Sequence, residues 1–394
     1  MSEKVYYIDG LRTPFGALGG ALSGLSAPQL AAPLMAELVK RAGLEPKSIN
    51  EVILGQVIQG GAGQAPARQA MRQAGLDDQT PAMTINKVCG SGLKAMMLAA
   101  QSIRLGEADL VLAGGMESMS GAPYIIPGAR KGLRAGDQKL VDLLFHDALT
   151  DPYSGKPMGE LVEEKTAHNG ITREAQDQYA IKSYQRALAA QAEGRFAREI
   201  LPVVISSRKG ETLVDQDEEP GKVNFEKVTS LRPVFSPNGS ITAANASSID
   251  DGAAVTLLAS EAALTKYGLT PKAEMVASAT SSHHPNDFSV APIGAIDKLM
   301  KRSLVNPKEV DLYEINEAFA AVPLMALGPL GLDLRQLNVN GGAVALGHPV
   351  GASGARLALT LVEELLLRGG RYGVAALCIG GGEAVAALFK RWEG

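Results

Sequence analysis

The chain has 394 residues, 46% hydrophobic and 20% charged, with net charge −4 and a pI near 5.9. Two cysteines cannot staple so long a chain, the slight acidity argues against a nucleic-acid binder, and 5% aromatics offer few stacking platforms. The 44 glycines, about 11% of the residues against a usual ~7%, are clustered, marking places where backbone must approach something closely.

The opening MSEKVYYIDG meets Asp9 before any long apolar run, so no secretory leader is expected. The uncharged stretch from Pro14 to Ala36 is broken by Pro28, Gln29 and Pro33, which argues against a membrane span. The closing KRWEG is no retention or peroxisomal address, and a cytoplasmic protein is expected. VYYID (5–9), EVILG (51–55) and ADLVLAGG (108–115) read as buried strands. Helical spacing runs from Pro28 to Ala42, Ala65 to Ala74 and Gly90 to Leu105. Residues 121–250 differ: a basic cluster (Arg130, Lys131, Arg134, Lys139), a polar helix from Thr172 to Arg195, and an acidic run from Asp215 to Glu219. This stretch reads as an inserted subdomain with solvated charged faces. The alternation then returns, with strands EMVASAT (274–280), VDLYEIN (310–316) and RYGVAALC (371–378), and helices near 292–302, 317–327 and 354–368. Alternation of this kind predicts an α/β fold.

The two halves repeat one another. Cys89-Gly-Ser-Gly-Leu-Lys opens a helix that leads to a glycine, an apolar strand and a glycine cluster; Gly351-Ala-Ser-Gly-Ala-Arg does the same. An internal duplication accounts for four aligned elements better than chance recurrence of strand–Gly–helix turns.

Cys89 falls at a strand-to-helix junction, where free N–H groups and the helix dipole favour a thiolate. A buried inert cysteine is the commoner fate of a lone thiol, and the flanking glycines favour a nucleophile. Cys378 precedes three glycines whose N–H groups could stabilise an oxyanion. His348, in the glycine-rich NVNGGAVALGHPVGASGAR, reads as a general base on a loop, and the same loop lacks the lysine of a phosphate-binding P-loop. Asn316 ends a strand, placed either to orient a water or to cap a helix. The remaining histidines lack metal-ligand spacing, and no zinc site is expected.

Together NKVCGSG, GGMESMS, NEAFA, the NGGAVALGHPVGASGAR loop and CIGGG resemble the thiolase family, over nearly the whole chain. The resemblance implies a five-layered αβαβα fold built from two βαβαβαββ halves: residues 1–120 with about 251–272, and residues 273–394, with 121–250 as a loop domain over the site. It implies reversible Claisen condensation of two acetyl-CoA molecules, with acetyl-CoA and coenzyme A as substrates and no permanently bound cofactor. Cys89 would carry the acyl group, His348 would take its proton, and Cys378 would act on the α-carbon of the second substrate. Asn316 and His348 would hold the enolate oxygen, and the N–H groups of Cys89 and Gly380 the acyl oxyanion. Ser247, Met158, Phe235, Ala246, Phe288, Ala318 and Phe319 match wall positions for coenzyme A. Lys222 is the one substitute for an expected phosphate-binding arginine, and Pro157 stands where relatives carry histidine. Phe288 resembles the potassium-responsive type, whose carbonyl ligands match Ala243, Ala244, Ala246 and Val344, although Pro220 replaces its tyrosine. A homotetramer without nucleic-acid or membrane partners is implied. The rivals are a longer-chain 3-ketoacyl-CoA thiolase, a related Claisen synthase and a non-catalytic acyl-CoA binder.

Overall fold

The computed structural model describes residues 3–208 and 210–393. The first half is β1 (Tyr6–Arg12), α1 (Ala27–Arg41), β2 (Glu51–Gly55), α2 (Pro66–Gln73), β3 (Ala82–Ile85), α3 (Ser91–Arg104), β4 (Leu110–Ser118) and β5 (Asp250–Ala259). Its strands lie in the order β3-β2-β4-β5-β1; β2 is parallel to β3 and β4, while β5 is antiparallel to β4 and β1.

The second half repeats this plan. After α6 (Glu261–Tyr267), strands β6 (Ala273–Ser282), β7 (Val310–Ile315), β8 (Tyr372–Ile379) and β9 (Glu383–Arg391) run in the order β7-β8-β9-β6, with β7–β8 parallel and β8–β9 and β9–β6 antiparallel; α7 (Ala291–Ser303) connects β6 to β7. A parallel bridge from Tyr313 to Leu337 stands where β3 stands in the first half. Two residue pairs, Tyr6 with Glu274 and Tyr7 with Ala273, join the halves into one continuous sheet.

Alternation along the strands divides the apolar residues between layers. Val52, Leu54, Leu110 and Leu112 pack outward against α1 and α2, whereas Ile53, Val111 and Ala113 face α3. In the second half Val374, Ala376 and Cys378 face outward, and Ala375, Leu377 and Ile379 face the same central layer. That layer is α3 together with α10 (Val350–Arg368), and both halves bury a face against it. The result is the expected five layers.

The duplicated Ser-Gly sits where the central helices meet. A Cβ on Gly354 would lie 2.5 Å from the Leu93 nitrogen, and one on Gly92 would lie 2.8 Å from the Ala355 nitrogen. Only a missing side chain permits that approach. β5 and β3 carry no clear periodic signal: β5 is buried along all ten residues, and β3 is a short edge strand, so neither is foreseen from the pattern. The helix expected over 317–327 starts later, as α8 (Ala321–Leu330). Phe319 instead bridges to Ala246, and the Ala320 N–H donates to the Asn245 carbonyl.

The segment between β4 and β5 holds α4 (Met158–His168), α5 (Arg173–Ala192) and a hairpin of Val203–Ser207 with Gly210–Val214. It is tied to β1 by the buried Arg12 guanidinium, which donates to Glu199 at 2.6 Å and to both oxygens of Asp217 at 2.6 and 2.9 Å. Phe15 and Phe196 lie about the same guanidinium, 5.2 and 5.1 Å from it. With partners this complete the buried charge is tolerated; removing one carboxylate would strand it.

The central crossing yields a stability test. Gly354→Ala is expected to lower unfolding free energy by about 1–3 kcal/mol through overpacking, read from the urea midpoint. An unchanged midpoint would show that the two helices do not meet at that residue.

Candidate active site

Cys89 lies between β3 and α3, on a turn the backbone does not adopt freely. Val88 has φ +47°, a strained value for a β-branched residue. The turn is held on both sides: Asn86 Oδ1 accepts the Val88 N–H at 2.9 Å, and Ser91 Oγ accepts the Lys87 N–H at 2.8 Å. This presents the half-buried thiol at the start of the central helix. The second half delivers the backbone N–H of Gly380, in the β8–β9 turn, to the same sulfur, and the Cys89 N–H joins it.

Cys378, near the end of β8, is 1% exposed and electrostatically coupled to Cys89. His348 occupies the loop between the one-turn helix α9 (Ala343–Leu346) and α10. Its Nδ1 lies 2.6 Å from Ser353 Oγ, and its Nε2 lies 3.4 Å from Asn316 Nδ2. Asn316 Oδ1 is buried without a protein partner among the described residues, as a water-holding group would be. Because α8 begins at Ala321, Asn316 is not its cap.

Burial controls the proton affinities here. It pushes the Cys89 thiol up to about 11, only partly offset by the two N–H groups. Burial, then the Cys89 neighbour, raises Cys378 as well. His348 is pushed down to about 3 by burial and then by the charge of Arg356. At Cys89 burial outweighs the two N–H groups, which favours the thiol over the thiolate expected at a helix start, and burial likewise favours the neutral imidazole of His348.

Two buried carboxyls bolt the His348 loop to the first half. Asp250 Oδ2, at the start of β5, accepts the His348 backbone N–H at 2.9 Å and the Ser248 hydroxyl at 2.8 Å. Glu117, on β4, accepts the N–H groups of Val57, Ile58 and Gly351 at 2.9, 3.1 and 2.9 Å. Gly347 must be glycine, because φ is +99° and a Cβ would run into Asp250. A third buried carboxylate, Glu317, accepts from Tyr179, Ser183, Asn338 and the Val344 N–H at 2.7–3.2 Å, holding the turn before α8 against α5 and α9.

A cavity of about 300 Å³ brings Cys89, His348, Cys378 and Gly380 together with Met158, Phe235, Ala246, Ser247, Phe288, Ala318 and Phe319. Asn316 reaches it through His348. Lys222 is off this wall, half exposed and paired with Glu219 at 3.0 Å. Ala243, Ala244 and Val344 are also off the wall. Ala320 nevertheless links their two segments, since its N–H goes to Asn245 and its side chain packs in one cluster with Val344 and Tyr184. The other four histidines are at the surface.

Sequence reasoning missed the wall formed by Met119, Phe145, Ala148, Leu149, Ile249 and Val350. Part of it is the π-helical turn Leu144–Leu149, for which residue patterns carry no signal. Glu117 and Asp250 were also missed. Their signal was an acid inside or abutting an apolar strand, which must have partners. A larger, more open groove of about 540 Å³ borders Phe235, but Glu160, Glu163 and Glu164 line it and would repel phosphates.

Comparison with known proteins agrees with this architecture. Residues 5–262 match the family model "Thiolase, N-terminal domain" and residues 269–391 match "Thiolase, C-terminal domain". An acetyl-CoA acetyltransferase of Cupriavidus necator is 45% identical over 98% of this chain and 99% of its own. A probable acetyl-CoA acetyltransferase of Dictyostelium discoideum is 46% identical over 99% and 94%. Among solved structures, the Bacillus anthracis acetyl-CoA acetyltransferase superposes with TM-score 0.97 at 39% identity, covering 99% of both chains. The human mitochondrial 3-ketoacyl-CoA thiolase does so with TM-score 0.95 at 38% identity, again over 99% of both. With both halves matched and the fold shared, this chain belongs to the thiolase family.

Proposed function

We propose that this protein is an acetyl-CoA C-acetyltransferase, joining two acetyl-CoA molecules into acetoacetyl-CoA and coenzyme A, or cleaving acetoacetyl-CoA in reverse. The observation that carries the reading is the meeting of two sulfurs from the two halves with one imidazole in a single cavity. Cys89 attacks the thioester carbonyl while its proton passes to His348 Nε2. The N–H groups of Cys89 and Gly380 hold the developing oxyanion. Coenzyme A leaves with the proton from His348, and acetyl-Cys89 remains.

In the second half-reaction Cys378 gives its proton to His348 and, as a thiolate, takes a proton from the α-carbon of the incoming acetyl-CoA. The imidazolium and Asn316, through a water, hold the enolate oxygen. The carbanion attacks the acetyl carbon, acetoacetyl-CoA departs, and His348 returns a proton to the Cys89 sulfur. Protons and electrons balance with no redox step. Ser247, Ala246, Met158, Phe235, Phe288, Ala318 and Phe319 would contact the pantetheine arm and acyl group, with Lys222 near the phosphates.

Mass measurement after incubation with acetyl-CoA tests both thiols. The parent is expected to gain one acetyl group on Cys89, and Cys89→Ser to lose at least ~10³-fold in turnover with no rapid adduct. Cys378→Ser is expected to keep the adduct and lose condensation. A parent chain that never acetylates would instead be an acyl-CoA binder. The second reading, a longer-chain 3-ketoacyl-CoA thiolase, draws support from the apolar wall of Met119, Leu149 and Val350. Thiolysis rates across acyl lengths, with a 2-methyl-branched substrate included, would favour it if they rose beyond four carbons.

Potassium is proposed as an activating ion near Ala243, Ala244, Ala246 and Val344. Neutral carbonyl oxygens suit such an ion, while Pro220 offers it no hydroxyl. Rates several-fold higher in potassium than in sodium buffer are expected, and equal rates would end the idea.

Among the described residues no helix is long and apolar enough to cross a membrane, in keeping with a proposed cytoplasmic enzyme of acyl-CoA metabolism. A homotetramer is proposed. β3 leaves one edge of the sheet unpaired, and Tyr124, Ile125, Ile126, Leu133 and Leu140 are exposed on one excursion from the insertion. Sedimentation should give four times the 41.1 kDa chain mass, and a monomer would dispose of this assembly.

A further inference from the structure

The Ser-Gly repeat has a chemical consequence beyond packing. Ser353 is fully buried and one turn into α10, and its Oγ lies 2.6 Å from His348 Nδ1 and 3.0 Å from the Pro349 carbonyl. A hydroxyl has one proton, so it can donate to only one of the two. The carbonyl can only accept, whereas Nδ1 can donate or accept according to tautomer.

The first half shows which way the proton points in this motif. Ser91, the equivalent of Ser353, lies 2.8 Å from the Lys87 backbone nitrogen and 2.7 Å from the Val88 carbonyl. There the choice is forced, because a backbone N–H can only donate. Ser91 Oγ accepts from Lys87 and gives its own proton to the carbonyl of the preceding turn. The same polarity in the second half has Ser353 donating to Pro349 and accepting from His348 Nδ1–H. At the opposite end of the ring, the Asn316 Nδ2 donor faces Nε2 at 3.4 Å, which fits a lone pair there.

We propose that Ser353 is a positioning residue that locks His348 as the Nδ1–H tautomer, leaving the Nε2 lone pair in the cavity to receive the Cys89 proton. The Nε2–H tautomer would have no site for that proton on the side where it is released. The backbone bond from His348 N–H to Asp250 fixes the loop but leaves the ring free to choose its tautomer, so Asp250 cannot replace Ser353 in this role.

The catalytic consequence rests on the acyl-transfer reading above, but the tautomer does not, and the two are separable by experiment. Nitrogen-15 spectra of histidine-labelled parent protein, with His348 assigned by His348→Gln, are expected to show protonated Nδ1 and bare Nε2 near neutral pH. Ser353→Ala is expected to mix the tautomers and slow Cys89 acetylation roughly 10- to 100-fold, with KM little changed. Ser353→Thr, which keeps the hydroxyl, is expected to restore the rate to within about threefold. Finding Nε2–H in the parent overturns the proposal, as does a Ser353→Ala protein that acetylates at the parent rate. If Ser353→Ala does not fold, the parent spectrum decides alone. A parent with bare Nε2 but no acetylation would sink the acyl-transfer reading and leave the tautomer assignment standing.

Discussion

The site depends on buried hydrogen bonds that cross between the halves. Cys89 belongs to the first half, and His348, Cys378 and Gly380 belong to the second. Nothing in either half alone sets their separation. That is set where Glu117 on β4 and Asp250 on β5 receive the N–H groups of Gly351 and His348. β4 and β5 pair with one another here, with Glu117 opposite Gly252 and Ser118 opposite Asp251, so the two acceptors share one rigid strip of sheet. Burial lifts Asp250 to about 8 and Glu117 to about 7. Their anchoring role survives protonation, because a neutral carboxyl still offers a carbonyl oxygen to an N–H. A link through N–H donors therefore holds more steadily across pH than an ion pair would.

The same burial shapes the chemistry. Desolvation favours neutral forms of both thiols and of the imidazole, so the resting site stores no thiolate. Charge has to appear only as the substrate carbonyl arrives to share it. The groups that meet that charge are preset: two N–H groups at the Cys89 sulfur, held by the strained Val88 turn and by the β8–β9 turn. Dipoles fixed before the reaction cost no reorganisation during it, and in an apolar cleft they act at close to full strength.

Much of the fold was legible because strands buried on both faces and helices with an apolar stripe leave plain patterns, and because the second half repeats the first. β5 escaped, since ten consecutive buried residues carry no alternation. The start of α8 was misplaced because Glu317 and Phe319 are committed to contacts with the insertion, which local spacing cannot encode. The glycine clusters marked Cys89, Cys378 and His348 as neighbours of close backbone. They could not tell that burial would raise the Cys89 thiol, because proton affinity follows from what surrounds a group in space. The apolar wall from the π-helical turn was illegible for a related reason, as Leu144 and Ala148 find their places only by packing with Val57, Ile58, Met119 and Val350, which are distant in the chain.

Duplication explains how one motif came to serve two chemistries. In each half a serine in the first turn of a central helix accepts an N–H and returns its proton to a nearby carbonyl, and a glycine beside it lets the helices touch. In the first half the accepted N–H is backbone, and the bond stiffens the turn that carries the nucleophile. In the second half the accepted N–H belongs to an imidazole, and the bond selects a tautomer. Glycine at 92 and 354 lets the two helix starts approach across the pseudo-symmetric contact, and the bonds from Gly351 and His348 to Glu117 and Asp250 set the nucleophile of one half beside the base of the other. The pairing of Cys89 with His348 is thus a geometric result of packing two copies of one unit start to start, with each copy then specialised by the residues that flank its serine.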